Sequence, residues 1–263
     1  MIKKIKTIYF IFIFEFGGHM KTENIVYEVK GKKYHGFLAY DDKIKVPRPG
    51  VLVAHAYWGK DEFVNDRAVE LAKLGYIGFA GDVYGEGRVA STEEEAGQLV
   101  SGLFVDRQEL RIRINANLDL LRNLPNVDKT RLGAIGFCFG GLTVLELLRS
   151  GADFKAGVSF HGVLGTKLGE LRAKPAPEYP MKASMLFLHG NDDPLVSHQD
   201  ITDLENELTK GKVDWEFNTY GNATHAFTNP KSQNPAHGMQ YNEKVANRAY
   251  LAMKNFFAEK FAI

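Results

Sequence analysis

The chain has 263 residues, 44% hydrophobic and 25% charged, and its 33 basic and 32 acidic side chains leave a net charge of +1. That length suits one large α/β domain, and the near balance of charge removes the electrostatic basis for a nucleic-acid or membrane-surface partner. One cysteine excludes an intrachain disulfide and any cysteine-built zinc site.

The first residues read differently from the rest. Lys3-Lys4-Ile5-Lys6 precedes the apolar run Thr7–Phe14, in the manner of a signal peptide, but Glu15-Phe16-Gly17-Gly18-His19 offers no small-residue cleavage site. The run is also too short to span a bilayer. Two glycine codons one codon ahead of Met20 match a bacterial ribosome-binding site in form and spacing. Residues 1–19 are therefore expected to be a leader, with Met20 the true start and 20–263 the folded domain. A cytoplasmic protein follows, or an exported one if the leader acts as a signal.

From there the pattern alternates. A hairpin over Asn24–Val29 and Lys33–Tyr40 is followed by a buried strand, Gly50–His55, and a helix, Asp66–Leu74. Strand Tyr76–Ala80 runs into Gly81-Asp82-Val83-Tyr84-Gly85. A long helical region, about Thr92–Leu124, is broken near Gly102 and ended by Pro125. Strands Leu132–Phe137, Ala156–Phe160, Ala183–His189 and Val213–Tyr220 follow, with helices after Cys138, over Gln199–Thr209 and over Tyr241–Phe257. Residues 162–180 read as an irregular loop. Alternating strands and helices predict one α/β domain, a mostly parallel sheet with helices on both faces.

Four strand ends carry chemistry, and in such a sheet the loops beyond the carboxyl ends gather together. Gly136-Phe137-Cys138-Phe139-Gly140-Gly141 has the form of a nucleophile turn, in which small neighbours permit a strained strand-to-helix bend. The following helix N-terminus favours a thiolate and an oxyanion. Asp192 and Asp193 follow a second strand, His225 a third, and His55-Ala56-Tyr57-Trp58-Gly59 a fourth. The order nucleophile, acid, histidine, with separations of 55 and 32 residues, is the α/β-hydrolase order. In that scheme His225 takes the thiol proton, a carboxylate fixes the imidazole, and the Tyr57 and Phe139 amides are the expected oxyanion donors. Trp58, Tyr84 and Phe227 are candidates to line a substrate pocket. His55, His161 and His189 are expected to hold loops, and Arg107, Arg111 and Arg113 to form a solvated helix face. No histidine has a spacing that points to metal.

Gly136–Gly141, His189-Gly190-Asn191-Asp192-Asp193-Pro194 and His225-Ala226-Phe227 together resemble the dienelactone hydrolase family, over roughly Asn24–Ala258. The resemblance implies a cysteine-dependent carboxylesterase that needs no cofactor. It takes a small-molecule ester or lactone, works as a monomer or small homo-oligomer, and has Asp193 as the acid and Asp192 as the fallback. Three positions depart from the family prototype. Ala56 replaces a glutamate that bonds the resting thiol, Asn229 replaces an arginine that binds the substrate carboxylate, and Glu95 falls at the other arginine in ungapped register. An ester or lactone less charged than dienelactone is the expectation. Thioesterase or peptidase-like acyl hydrolysis, and a non-catalytic binding protein of the same fold, are the alternatives.

Overall fold

A computed structural model describes residues 6–8, 13–16, 19–174 and 179–263. Short strands β1 (Lys6–Ile8) and β2 (Ile13–Phe16) both pair antiparallel with β3 (Met20–Val29). The rest of the expected leader lies outside the described residues, except His19. β3 turns into β4 (Lys32–Asp41) through Lys30 and Gly31, both at positive φ, the backbone that a tight hairpin demands.

Next come β5 (Arg48–Ala54), α1 (Glu62–Lys73), β6 (Ile77–Gly81), α2 (Glu93–Val105), α3 (Arg107–Arg122), β7 (Val127–Phe137), α4 (Phe139–Arg149) and β8 (Ala156–Phe160). The chain ends with β9 (Lys167–Leu168), β10 (Leu171–Arg172), β11 (Ser184–Gly190), α5 (His198–Lys210), β12 (Trp215–Tyr220), β13 (Gln233–Asn234), a 3₁₀ turn, β14 (Met239–Gln240) and α6 (Glu243–Phe261). The main sheet runs β1-β3-β4-β6-β5-β7-β8-β11-β12, with β2 also on β3. It is parallel from β6 to β12 and antiparallel at the β3–β4 edge.

Helices cover both faces because the parallel strands are apolar on both. Leu52, Ala54 and Ala134 pack with residues of α2 to α5, such as Phe104, Ile114, Leu145 and Leu208. Their neighbours Val51, Val53, Ile135 and Phe137 point the other way, onto Val64 and Ala68 of α1 and Phe257 of α6. Each such fully buried Val, Leu, Ile or Phe is worth about 1.5–3 kcal/mol. Among the described residues no helix is long and apolar enough to cross a membrane.

Two expectations are corrected. The long helical region does break, but α2 continues through Gly102. The break is at Asp106, whose carboxylate caps α3 by accepting the Glu109 N–H at 3.0 Å. The arginines are also not a solvated face. Arg107 and Arg111 are 4% and 7% exposed and converge with Arg149 on buried Glu146, and Arg113 bonds Glu109. A buried carboxylate on α4 recruits cations that helical periodicity alone assigns to water.

Candidate active site

Cys138 lies between β7 and α4 with φ 57° and ψ −117°, a conformation that costs a side chain-bearing residue about 1–3 kcal/mol. The surroundings hold it there. Its N–H donates to the Phe160 carbonyl at 3.1 Å, and its own carbonyl accepts from Gly141 at 3.0 Å and Leu142 at 3.3 Å. A Cβ on Gly136 would lie 2.0 Å from the Gly140 carbonyl oxygen, and one on Gly140 would lie 2.2 Å from that of Ala54. Only glycine lets the turn close and lets α4 press against the end of β5. The thiol is partly exposed.

His225 comes to the same place on the loop after β12. Its backbone is pinned by His225 N–H to Gly238 carbonyl (2.9 Å) and Gln240 N–H to His225 carbonyl (3.2 Å), so the two-residue strands β13 and β14 serve to fix a histidine. Its Nδ1 lies 2.7 Å from Asp193 Oδ2, with both side chains essentially inaccessible to water. The other oxygen, Asp193 Oδ1, accepts the Leu195 N–H at 2.9 Å. The fallback acid, Asp192, is exposed and bonds Asn191 instead. Burial pulls the imidazole pKa down, but the Cys138 charge and the Asp193 bond outweigh it and push His225 up to about 10. Cys138 lies close enough to act on the His225 ring both through charge and through a side-chain hydrogen bond, and among the described residues no other group partners Nε2.

Two more histidines pack beside this pair. The His161 ring stands edge-on to His225 at 5.2 Å, and its Nε2 lies 2.8 Å from Thr228 Oγ1. Burial first, and then the His225 charge, hold His161 well below the ordinary imidazole value. His189, also lowered by burial, packs on Phe217. Neutral rings here let a single imidazolium exist without repulsion.

On the opposite side, the loop after β5 packs against the 82–87 turn. Asp82 is fully buried and accepts the Gly85 and Gly87 N–H groups at 2.7 and 3.0 Å. The Tyr84 hydroxyl donates to the Tyr57 carbonyl at 2.8 Å. His55 Nε2 lies 3.2 Å from the Val83 nitrogen and its Nδ1 lies 2.9 Å from the Ala56 carbonyl. Among the described residues neither the Tyr57 nor the Phe139 amide donates to a loop or cap carbonyl. As the first residue of α4, Phe139 has no intrahelical acceptor in any case.

The three residues expected along a substrate wall divide. Trp58 is 38% exposed, whereas Tyr84 and Phe227 are fully buried, with Phe227 packed edge-on against His161. Glu95 is turned toward Ser91, and the Asn229 side chain accepts from Lys231, so neither departure from the prototype offers a cation. Motif and strand-end position pointed to Cys138 and His225, and the family resemblance to Asp193. The clamp made by Tyr84 and His55 left only a weak signal, a buried aromatic and a strand-end histidine.

A mostly parallel sheet covered on both faces, with a strained cysteine turn, a buried aspartate and a histidine in that order at the carboxyl ends of its strands, has the architecture of an α/β-hydrolase. The model of the dienelactone hydrolase family matches residues 34–261. A solved structure called m3DLH is 38% identical, with a TM-score of 0.83 over 92% of this chain and 99% of its own. A dienelactone hydrolase-like promiscuous phosphotriesterase from metagenomic libraries is 35% identical, with the same TM-score and coverage. A putative carboxymethylenebutenolidase of Aquifex aeolicus is 26% identical over 89% of this chain and 96% of the relative. The chain belongs to the dienelactone hydrolase family and is a carboxylic ester hydrolase resembling dienelactone hydrolase.

Proposed function

We propose that the protein hydrolyses a carboxylic ester or lactone through a thioester on Cys138. The observation that carries this reading is the buried 2.7 Å pair of His225 and Asp193 beside a cysteine held at positive φ on a helix N-terminus. The thiolate sulfur attacks the carbonyl carbon, a C–S bond forms, and the carbonyl π pair moves onto oxygen, facing the Tyr57 and Phe139 amides. When the pair returns, the C–O bond to the alcohol breaks and the leaving oxygen takes the proton from His225. Water then gives a proton to His225 and adds to the thioester, which releases the acid and restores the thiolate–imidazolium pair. None of these steps calls for a cofactor.

Substrate charge follows from what surrounds the thiol. With Glu95 and Asn229 at the positions that match the prototype's two carboxylate-binding arginines, neither position supplies a cation, so an uncharged acyl group is favoured, with Trp58 at its side. The test is Cys138→Ala against a panel of p-nitrophenyl ester, lactone, thioester, peptide and phosphotriester. Loss of ester turnover, with an acyl mass adduct found on wild-type Cys138, supports the reading. Wild-type rates in the variant sink it. The phosphotriester arm asks whether the promiscuity ascribed to the metagenomic relative extends to this chain.

A further inference from the structure

We infer that His55 is a positioning residue for the oxyanion site, holding the Ala56–Tyr57 peptide so that the Tyr57 N–H faces the acyl oxygen above Cys138. This inference rests on the proposed function, in which that N–H is one of the two donors.

Chemistry fixes the tautomer. A backbone N–H can only donate, so His55 Nε2, 3.2 Å from the Val83 nitrogen, is the acceptor. The ring proton therefore sits on Nδ1 and is donated to the Ala56 carbonyl 2.9 Å away. The same carbonyl accepts the Gly59 N–H at 3.3 Å. A peptide unit is planar and trans, so its C=O and N–H point in opposite directions. Two donors on the Ala56 oxygen thus aim the Tyr57 N–H outward, and they polarise it toward stronger donation. The imidazole does this in a water-free setting, since His55 is 0% exposed. Burial also keeps it neutral, and a protonated Nε2 could not accept from Val83.

The same ring ties the two donors together. It stands edge-on to Tyr84 at 4.4 Å, and Tyr84 stacks on Phe139 at 6.1 Å. Tyr84 in turn bonds the Tyr57 carbonyl. One buried wedge of His55, Tyr84 and Phe139 therefore sets the spacing between the loop amide and the helix amide. A 1 Å error in such spacing is costly to catalysis.

Two near-isosteric variants separate the two bonds. His55→Gln places an acceptor near Nε2 and loses the donor to Ala56, and His55→Asn places a donor near Nδ1 and loses the acceptor. With p-nitrophenyl acetate, His55→Gln is expected to lower kcat about 100-fold with KM within about threefold. His55→Asn recovers at least about tenfold of that loss. Alkylation of Cys138 by iodoacetamide forms no oxyanion, so its rate stays within about twofold of wild type in both. Wild-type kcat in His55→Gln, equal losses in both variants, or an alkylation rate that falls with turnover would each overturn the inference. If His55→Gln does not fold, His55→Asn decides. A 100-fold fall in its kcat at unchanged alkylation counts against the donor role, and retained turnover supports it. Cys138→Ala run in parallel separates the two proposals. If it stays active the thioester reading fails. If it is inactive while His55→Gln is fully active, only the role of His55 fails.

Discussion

Two loops on either side of Cys138 each bring a buried histidine to a strand end, and they put it in opposite states. His55, after β5, is wholly buried with its ring nitrogens at hydrogen-bond distance from backbone groups, and burial lowers its pKa. His225, after β12, is just as inaccessible, yet the charges of Cys138 and Asp193 push it up to about 10. Burial alone therefore does not decide the protonation of a histidine. Its partners do, and here one loop holds a neutral, fixed dipole while the other favours an imidazolium.

Removing the thiol attacks that contrast most directly. Cys138→Ala is expected to abolish ester turnover, a loss of about 10⁴-fold or more, with a near-native melting curve. The charge that sets His225 apart goes with it. Asp193→Asn is expected to cost about 10³- to 10⁴-fold in kcat. Because Asp193 helps to raise His225, the alkaline limb of the residual kcat/KM profile should fall from near 10 toward the ordinary imidazole value of 6.5. An unmoved limb would mean that Asp193 only orients the ring. Tyr84→Phe cuts one bond on the other loop and should lower kcat about tenfold at constant KM, measured with the same ester.

The smallest expected effect is on stability. A raised folded-state pKa contributes stability fully present below the unfolded value of about 6.5 and lost as pH climbs through about 10. Melting temperature should therefore drift down across that window for this group. Cys138→Ala should flatten the drift, which a pH series of thermal melts would check. His55, lowered by burial, cannot produce a drift in that window.

Legibility in the sequence followed the same division. Cys138 and His225 stood out because each sits in a short motif at a strand end, where topology determines which loops meet, and the family resemblance chose Asp193 over Asp192; the structure brings Asp193 and His225 together. The parallel core was readable because β5, β7 and β11 contain the apolar runs Gly50–Ala54, Leu132–Phe137 and Met185–Leu188. Side-chain direction in loops was not. Tyr84 and Phe227 looked like pocket walls beside their motifs, but both turn inward, one to a carbonyl and the other to His161. Gly102 looked like the helix breaker, whereas the Asp106 carboxylate supplies the cap that starts a new helix. Two-residue strands such as β13 and β14 are too short to leave a period at all.

Trp58 is attached to its neighbours in a way that has a further consequence. Its carbonyl accepts the Ala90 N–H at 2.8 Å, and Gly59 bridges Val89, so main-chain bonds hold this lip. The indole packs edge-on with Tyr57, and Val89 is 45% exposed. Both residue identities can change while the backbone and the chemistry beneath stay put. If Trp58 flanks the acyl group as proposed, natural divergence or laboratory selection can retune acyl preference here without disturbing the fold.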